Sequence, residues 1–561
     1  MNAERLKQLS SLLPKNSAGA APEVLTEDSP GYLLKSQVFN TKFQFRPAAI
    51  VLVETPEQVS EIVKFANRFP TEITLRVRSG GHDHEGECSG TATLLMDFSK
   101  MNSVTVTRQD AGTEDQPIVS IGAGARFRHI KPILDSQNLG IAHGTCETVG
   151  IAGYTLGGGW GPWTRLYGMG CERLIGATLV LGNGEIVTLR PDAPADSPEA
   201  KLLWALRGGG GFSYGIVTEL RFKAFKLPEN LCSFNLRCMD AWPHRPALEI
   251  LQCWEKAITG NDNPRLIGTN LKVVATHLPA GQEPDPQAVL DCTFNGYFAG
   301  TEQEARDMIT RYFGLQPLGA CVVQVHRAPA NGLRAAVRSN QWHFESWDRN
   351  VPSQVQRLKR LATGSTPINP DIPLDGDGPA PHKITSRLAE ASGWNDEGRK
   401  ALICALQSSL VPTPDEVGGK SNNFAITQYI TLGAITGPFY ATYDKSQQPP
   451  SAFPYKDRLF TIQFQAWWNQ YLNADGVPTA SCSEIEHGVL ANRPWDNRAE
   501  DWIEACRDYP IPGTGGAFIS FKDSSVRTQI YFDESYAALR EVKQTCSMDK
   551  HVLFRSRKTI I

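Results

Sequence analysis

The chain has 561 residues, a formal net charge of −3 and 41% hydrophobic residues, which predicts a globular protein of more than one domain. The near-neutral charge, without a Lys/Arg-rich block, argues against a nucleic-acid partner. We expect no membrane partner, no metal and a cytoplasmic location, because the sequence lacks an apolar run of ~18 residues, a secretory signal and a Cys/His cluster with metal-site spacing.

Residues 47–225 predict alternating strands and helices. The apolar run Ala49–Val53 predicts a buried strand, and Thr55 followed by Pro56 predicts the start of a helix. Further strands are predicted at residues 74–78, 93–98, 103–106 and 118–121, with a hairpin at 178–187.

The pattern changes near residue 226, where long stretches rich in Pro, Gly and Asp follow. Amphipathic helices and further strands are predicted between these stretches. Strands are predicted at 425–432, 459–467 and 518–523, and a helix at 536–543. This change predicts a second domain whose sheet is not built from alternating strands and helices as in residues 47–225.

Four glycine-rich loops stand out among the 49 glycines. They are Arg78-Ser79-Gly80-Gly81-His82 and the stretches 122–124, 150–161 and 207–215. None ends in the Gly-Lys-Ser/Thr of a P-loop, and none fits a strand–GxGxxG–helix unit. Each loop alone is more typical of a tight turn, but four together indicate a large, phosphate-bearing ligand cradled by backbone N–H groups.

The order of these loops resembles the berberine-bridge-enzyme-like branch of the vanillyl-alcohol-oxidase flavoproteins. Besides the first loop, the stretch Gly144-Thr145-Cys146-Glu147-Thr148-Val149-Gly150 carries the resemblance, which is strong over 45–225, moderate over 380–561 and weak over 240–370. The resemblance implies FAD bound covalently, through its 8α-methyl carbon to His82 and through C6 to Cys146.

The resemblance also implies the remaining cofactor-binding residues. These are Arg78, Ser79, Gly80, Gly81, Thr148, Val149, Gly150, Gly153, Tyr154, Gly158, Gly159, Ile216 and Val217. Tyr154 stands where many relatives have a histidine beside the flavin pyrimidine, and its hydroxyl can still donate a hydrogen bond.

The general base is the main departure from the family pattern. Phe521 stands where relatives often have a catalytic tyrosine, and phenylalanine has no ionisable group. Either the substrate needs no base or another residue takes the proton. The catalytic candidates are Gln463, Tyr429, Tyr455 and Tyr154, with His382 and Glu345 as weaker options.

The implied fold class is α+β. It has a two-part FAD-binding domain of the vanillyl-alcohol-oxidase type, with an inserted substrate domain built on an antiparallel β-sheet covered by helices. We expect the N-terminal flavin part at 1–225, the substrate domain at 226–500, and a C-terminal segment at 501–561 that partly returns to the flavin domain.

The implied activity is that of an oxidase. Hydride passes from an alcohol, sugar or natural product to FAD and then to O2, giving H2O2. Val149, three residues after Cys146, goes with oxygen use in the family. The alternatives are a dehydrogenase with another acceptor and a catalytically weak flavin-bearing binding protein.

Four tryptophans offer platforms for sugar or planar substrates, or else belong to the core: Trp160, Trp163, Trp467 and Trp468. The partners expected are therefore a small-molecule substrate and O2, and the sequence predicts no oligomeric state.

Overall fold

The computed structural model describes residues 3–107, 117–260, 263–314, 321–327, 381–413, 416, 426–443, 450–468 and 494–561. The strands of its N-terminal part are β1 (Glu23–Leu25), β2 (Ala49–Leu52), β3 (Leu75–Arg78), β4 (Leu94–Asp97), β5 (Val104–Thr107), β6 (Ile118–Gly122), β7 (Leu139–Gly140), β8 (Leu174–Val180), β9 (Ile186–Leu189), β10 (Ile216–Lys223) and β11 (Phe225–Lys226).

The later strands are β12 (Asn230–Arg237), β13 (Leu266–Val274), β14 (Thr276–His277), β15 (Cys292–Phe298), β16 (Cys321–Arg327), β17 (His382–Glu390), β18 (Gln407–Ser408), β19 (Ile426–Ala434), β20 (Arg458–Trp468) and β21 (Thr514–Gly515). The α-helices are α1 (Ala3–Leu12), α2 (Tyr32–Ser36), α3 (Pro56–Arg68), α4 (Phe127–Asp135), α5 (Ile151–Leu156), α6 (Thr164–Tyr167), α7 (Pro198–Leu206), α8 (Cys238–Ala241), α9 (Ala247–Thr259), α10 (Glu302–Phe313), α11 (Asp396–Ala405), α12 (Pro438–Ala441), α13 (Pro494–Asp508), α14 (Thr528–Phe532) and α15 (Tyr536–Cys546).

Two sheets build the N-terminal part. The first has the order β1-β2-β4-β3, in which β2, β4 and β3 run parallel. The second has the order β5-β6-β10-β8-β9 and is antiparallel throughout. Strand β3 ends at Arg78, so the loop that carries His82 leaves the first sheet at the carboxyl end of a strand, where α/β folds commonly place their ligands.

The second half is dominated by an eight-stranded antiparallel sheet in the order β16-β12-β15-β13-β19-β20-β17-β21. Its central strands alternate between polar and apolar residues, so each strand has two different faces. Helices α9, α11 and α13 cover the apolar face through residues such as Trp254, Leu402 and Trp502. The opposite face carries polar side chains and faces the N-terminal part.

Two large hydrophobic cores hold the molecule together. The first combines the N-terminal sheets with residues from the end of the chain, including Phe532, Leu539 and Phe554. The second lies between the eight-stranded sheet and its helices. The chain therefore leaves the first core after β10, builds the second, and returns to the first.

The helix start predicted at Thr55 and Pro56 is confirmed by α3. The Thr55 side chain accepts a hydrogen bond from the backbone N–H of Gln58, and Pro56 occupies the first turn of α3. The predicted hairpin is confirmed, since β8 and β9 pair antiparallel. The strand predicted at 518–523 is wrong. Residues Ile519–Phe521 form a 3₁₀ turn instead.

Within the described ranges, no helix is both long and apolar enough to cross a membrane. No group of His, Cys, Asp and Glu in those same ranges could hold a metal ion.

Candidate functional site: a cavity between the glycine loops and the sheet

A cavity of ≈ 380 Å³ lies between the glycine-rich loops and the polar face of the eight-stranded sheet. Cofactors and small ligands commonly bind in cavities of this size. The predicted residues that line it are Ser79, Gly80, Gly81, His82, Cys146, Val149, Gly150, Gly153, Tyr154, Ile216, Val217, Tyr429 and Gln463. Residues distant in sequence are thus brought to one place.

His82 is held from two sides. Its Nε2 lies 2.9 Å from the Thr148 hydroxyl, and its ring stacks on Phe39 with centroids 4.0 Å apart. Burial, with a smaller contribution from Arg126, lowers the pKa of His82 well below its usual value. The imidazole is therefore neutral at physiological pH, which is the form that can be alkylated.

Cys146 lies half-buried on the same cavity wall, two residues before Thr148. Its Sγ is 3.9 Å from the Thr145 hydroxyl. Thr148 itself does not line the cavity but positions His82, so one short segment carries both a thiol and the partner of the imidazole.

Glycine is required where the loops that carry Gly80 and Gly150 meet. A Cβ at Gly80 would overlap the backbone nitrogen of Gly150, and a Cβ at Gly150 would overlap the Gly80 nitrogen. Arg78 does not line the cavity. It is buried and donates to Asp97 and to the carbonyl of Gln37, so it fixes the start of the loop rather than contacting a ligand.

Gly158 and Gly159 lie just behind the cavity wall. Both have positive φ values, +107° and +82°, which favour glycine. A side chain on Gly159 would strike the Tyr154 ring, so this turn makes room for Tyr154. The Tyr154 ring also packs edge-on against Phe127, at 5.0 Å.

The sheet wall of the cavity is rich in amides. Gln463, Gln465 and Thr461 lie on one face of β20, and Gln463 Nε2 donates to the Thr461 hydroxyl at 3.1 Å. Tyr429 on the neighbouring strand β19 donates to Gln465 Oε1 at 3.2 Å. The Lys272 ammonium lies 4.0 Å from the centre of the Tyr429 ring.

The remaining candidate residues differ in whether they line the cavity. Tyr455 lies outside it: the hydroxyl donates to the carbonyl of Ile530, and burial raises the pKa of Tyr455 far above its usual value. Trp160 and Trp467 line the cavity, and Trp160 also belongs to a small hydrophobic core. Trp163 and Trp468 belong to hydrophobic cores and do not line the cavity. Glu345 lies outside the described residues.

Several cavity residues were not identified from the sequence. On the sheet they are Asn270, Lys272, Asn295, Thr431 and Gln465. The polar–apolar alternation from Thr461 to Trp467 is a signal that could have found the β20 members. In the loop after β3 the missed residues are Asp83, His84, Glu87 and Cys88. His84 Nδ1 lies 2.9 Å from Nε2 of His382, a completely buried residue.

The residues around the cavity fit a flavin dinucleotide. Gly153 on α5 borders the cavity, and no atom lies within 4 Å of the place its Cβ would take, so a flat ligand can approach this backbone. Among the described residues, the Tyr154 hydroxyl is buried without a hydrogen-bond partner. A buried hydroxyl aimed at a polar cofactor edge would be satisfied by it.

Comparison with known proteins gives the same result. A model described as "FAD binding domain" matches residues 47–190. Glucooligosaccharide oxidase of Sarocladium strictum is 31% identical over 267 residues, which cover 46% of this chain and 49% of that protein. Berberine bridge enzyme-like 2 of Arabidopsis thaliana is 28% identical over 556 residues, 98% of this chain and 89% of that protein. The chain spans about half the length of the first curated relatives it matches.

Solved structures share the fold. Glucooligosaccharide oxidase from Acremonium strictum, described with a 6-S-cysteinyl, 8α-N1-histidyl FAD, superposes with a TM-score of 0.67 at 20% identity, covering 96% of this chain and 97% of that one. Phl p 4, a grass pollen allergen with glucose dehydrogenase activity, gives a TM-score of 0.64 at 18% identity and covers 99% of each chain.

The fold and the glycine-lined cavity define a flavoprotein with a FAD binding domain. The resemblance to the berberine-bridge-enzyme-like flavoproteins, whose relatives include oligosaccharide oxidases, is confirmed. The predicted α+β fold class is confirmed as well.

Proposed function

We propose that this protein is a FAD-dependent oxidase that holds its flavin by covalent bonds to His82 and Cys146 and oxidises a hydroxyl-bearing small molecule. The observation that carries the proposal is that both residues line one cavity, with the glycine loops on one side and the amide-rich sheet on the other. When bound, the flavin supplies the hydride acceptor.

The two attachment residues suit their roles. Attachment through Nδ1 of His82 is compatible with the contact between Nε2 and Thr148. Glucooligosaccharide oxidase, a relative with a 6-S-cysteinyl, 8α-N1-histidyl FAD, supports the assignment.

The substrate we propose is rich in hydroxyl groups, such as an oligosaccharide. Gln463, Gln465, Asn270 and Asn295 offer amide donors and acceptors on one wall, which suit several hydroxyls at once. Trp160 and Trp467 provide aromatic faces beside them. A planar phenolic or polyketide substrate has fewer hydroxyl groups with which to extend this hydrogen-bonded amide network, in which Asn295 already donates to Asn270 and Gln465 to Gln463.

The proposed electron acceptor is O2, with H2O2 as the product. Val149 lies half-buried at the cavity, beside the loop that carries Cys146. A dehydrogenase that passes electrons to a quinone is the second candidate, since Phl p 4 shares the fold. Stopped-flow reoxidation in air separates the two. A rate near that of free flavin would exclude the oxidase.

The attachment is tested by acid denaturation. We expect the flavin of the wild type to stay with the precipitated protein, and His82→Ala and Cys146→Ala each to keep one bond. Only the double variant should release FAD to the supernatant. Release from the wild type would overturn the covalent assignment.

The substrate class is tested by anaerobic titration, following flavin absorbance. We expect bleaching by cello-, xylo- or chito-oligosaccharides and not by benzylic phenols. Bleaching by the phenols alone would reject the hydroxyl-rich substrate, and no bleaching by either group would favour a binding protein.

A further inference from the structure

The loop after β3 brings a second histidine to the cavity. His84 follows the attachment residue His82 by two positions, and its half-buried ring lines the cavity. The ring centre lies 5.7 Å from that of Phe521, the residue at the position where the family resemblance led us to expect a tyrosine base. A basic ring nitrogen therefore lies near the position where Phe521 lacks the hydroxyl group of the expected tyrosine.

His84 is held by a partner rather than free to rotate. Its Nδ1 lies 2.9 Å from Nε2 of His382, the first residue of β17. His382 is completely buried, and its ring stacks on that of Trp467 with centroids 3.9 Å apart. With Nδ1 engaged in this way, Nε2 is the His84 nitrogen left for a ligand.

One asparagine fixes both histidines at the backbone. Asn40 Nδ2 donates to the carbonyl of His84 at 2.6 Å and to that of His382 at 3.0 Å. The backbone N–H of His382 donates in return to Asn40 Oδ1 at 3.1 Å. The pair is thus built into the junction between the loop after β3 and the first residue of β17 in the eight-stranded sheet.

We propose that His84 is the general base of the oxidation, in place of the tyrosine that Phe521 replaces, and that His382 is its positioning residue. This inference rests on the proposed function. As the substrate O–H bond breaks, Nε2 of His84 takes the proton. The adjacent C–H bond breaks with its electron pair going to the bound flavin as hydride, and the carbinol carbon becomes a carbonyl. His382 accepts the Nδ1–H of His84 and so holds the tautomer in which Nε2 is unprotonated.

The charge state of His84 suits a base. Burial lowers the pKa of His84 to about 4, with Asp83 opposing this effect and Lys522 adding to it. The titratable and charged groups that face it are Asp83, Lys522, His82 and His382. Because the neutral ring is the base, flavin reduction should be constant from pH 5 to 8 and fall as the pH drops through about 4.

The test uses the holoenzyme with the oligosaccharide that bleaches its flavin fastest. His84→Asn keeps a polar atom near Nδ1 but has no basic nitrogen, and His551→Asn, on the exposed C-terminal segment, is the matched control. We expect His84→Asn to slow flavin reduction by ~10²–10⁴-fold, with substrate Kd and the affinity of the flavin for sulfite unchanged. The control should match the wild type in all three.

The possible outcomes test the role of His84 and the proposed function separately. Flavin reduction in His84→Asn within a few-fold of the wild type overturns the role of His84 and leaves the proposed function intact. A wild type that no oligosaccharide or alcohol reduces overturns the proposed function, and this inference with it. If His84→Asn fails to fold, His84→Gln takes its place. The pH profile of the wild type is an independent check, since a reduction rate that falls between pH 8 and 6 would assign the base to another group.

Discussion

At the scale of single residues, two glycines of the cavity wall differ in what surrounds them. The missing Cβ of Gly80 would overlap the backbone of Gly150, whereas that of Gly153 would meet no protein atom within 4 Å. The first glycine is required for two loops to touch. The second leaves space on the side where a cofactor is proposed to lie.

The two positions should therefore respond differently to alanine. Gly80→Ala should lower the free energy of unfolding by ~1–3 kcal/mol, because the loops are forced apart. Gly153→Ala should not destabilise the protein, since alanine is favoured over glycine inside a helix by ~1 kcal/mol, but it should reduce flavin content. Thermal unfolding and the flavin-to-protein absorbance ratio measure the two effects. A Gly153→Ala protein with full flavin content would contradict the placement of the cofactor against α5.

Chemical type alone does not assign these residues their roles. The sequence leaves Tyr429, Tyr455 and Tyr154 all as catalytic candidates. In the structure, Tyr429 bonds a cavity amide, Tyr455 bonds the Ile530 carbonyl outside the cavity, and Tyr154 is buried on α5. These differences arise from contacts between residues far apart in the chain, which no local pattern records.

At the scale of elements, predictions succeeded where the determinants are local. Thr55 and Pro56 start α3 with atoms from adjacent residues, so sequence was sufficient. The strand predicted at 518–523 is wrong because a residue distant in the sequence stabilises the turn. Ser386 Oγ on β17 accepts from the N–H of Phe518 and lies 3.4 Å from the carbonyl of Phe521. The alternation of polar and apolar residues likewise predicts two different faces for β20, but it does not predict which face lines the cavity.

Helix α4 contains a buried ion pair whose effect depends on pH. Lys131 and Asp135 are one turn apart and bonded to each other. Burial, opposed by Lys131, raises the pKa of Asp135 to about 6, while burial, opposed by Asp135, lowers the pKa of Lys131 to about 8. Removing the lysine leaves a carboxylate with no cation beside it in a low-dielectric site.

We expect Lys131→Met to destabilise the protein, and more at pH 8 than at pH 5. A folded-state pKa above the unfolded value gives stability that is complete at low pH and lost as the pH rises through the folded pKa. The double variant Lys131→Met/Asp135→Leu should be neutral or up to ~4 kcal/mol more stable than the wild type. Urea unfolding at the two pH values measures this. Equal losses at both would contradict a buried, pKa-shifted Asp135.

At the scale of the whole molecule, the end of the chain closes the flavin half. Helix α15 packs on the first core, and Lys543 bonds the carbonyl of Ser213 at 2.6 Å and the Asp549 carboxylate at 2.7 Å. Asp549 also accepts from the N–H groups of Leu553 and Phe554. One carboxylate thus fixes both the last helix and the tail that follows it.

Asp549→Ala should cost ~3–5 kcal/mol, because it leaves the buried Lys543 ammonium without its carboxylate. Lys550→Ala, the neighbouring exposed position, is the matched control and should change stability by less than ~0.5 kcal/mol. Chemical unfolding followed by flavin fluorescence and by tryptophan fluorescence measures the loss. A flavin signal that stays intact while the tail becomes sensitive to proteolysis would show that this closure is not needed by the cofactor site.

The two different faces of the eight-stranded sheet determine which substitutions the protein can accept. Residues 463, 465 and 467 face the cavity, while 462, 464 and 466 lie in the second core, on the same strand. Substitutions at every second position can therefore alter what is recognised without disturbing the packing that holds the strand in place. A single scaffold of this kind is open to new ligands by a few exchanges, and libraries restricted to positions 463, 465 and 467 should yield mostly folded variants.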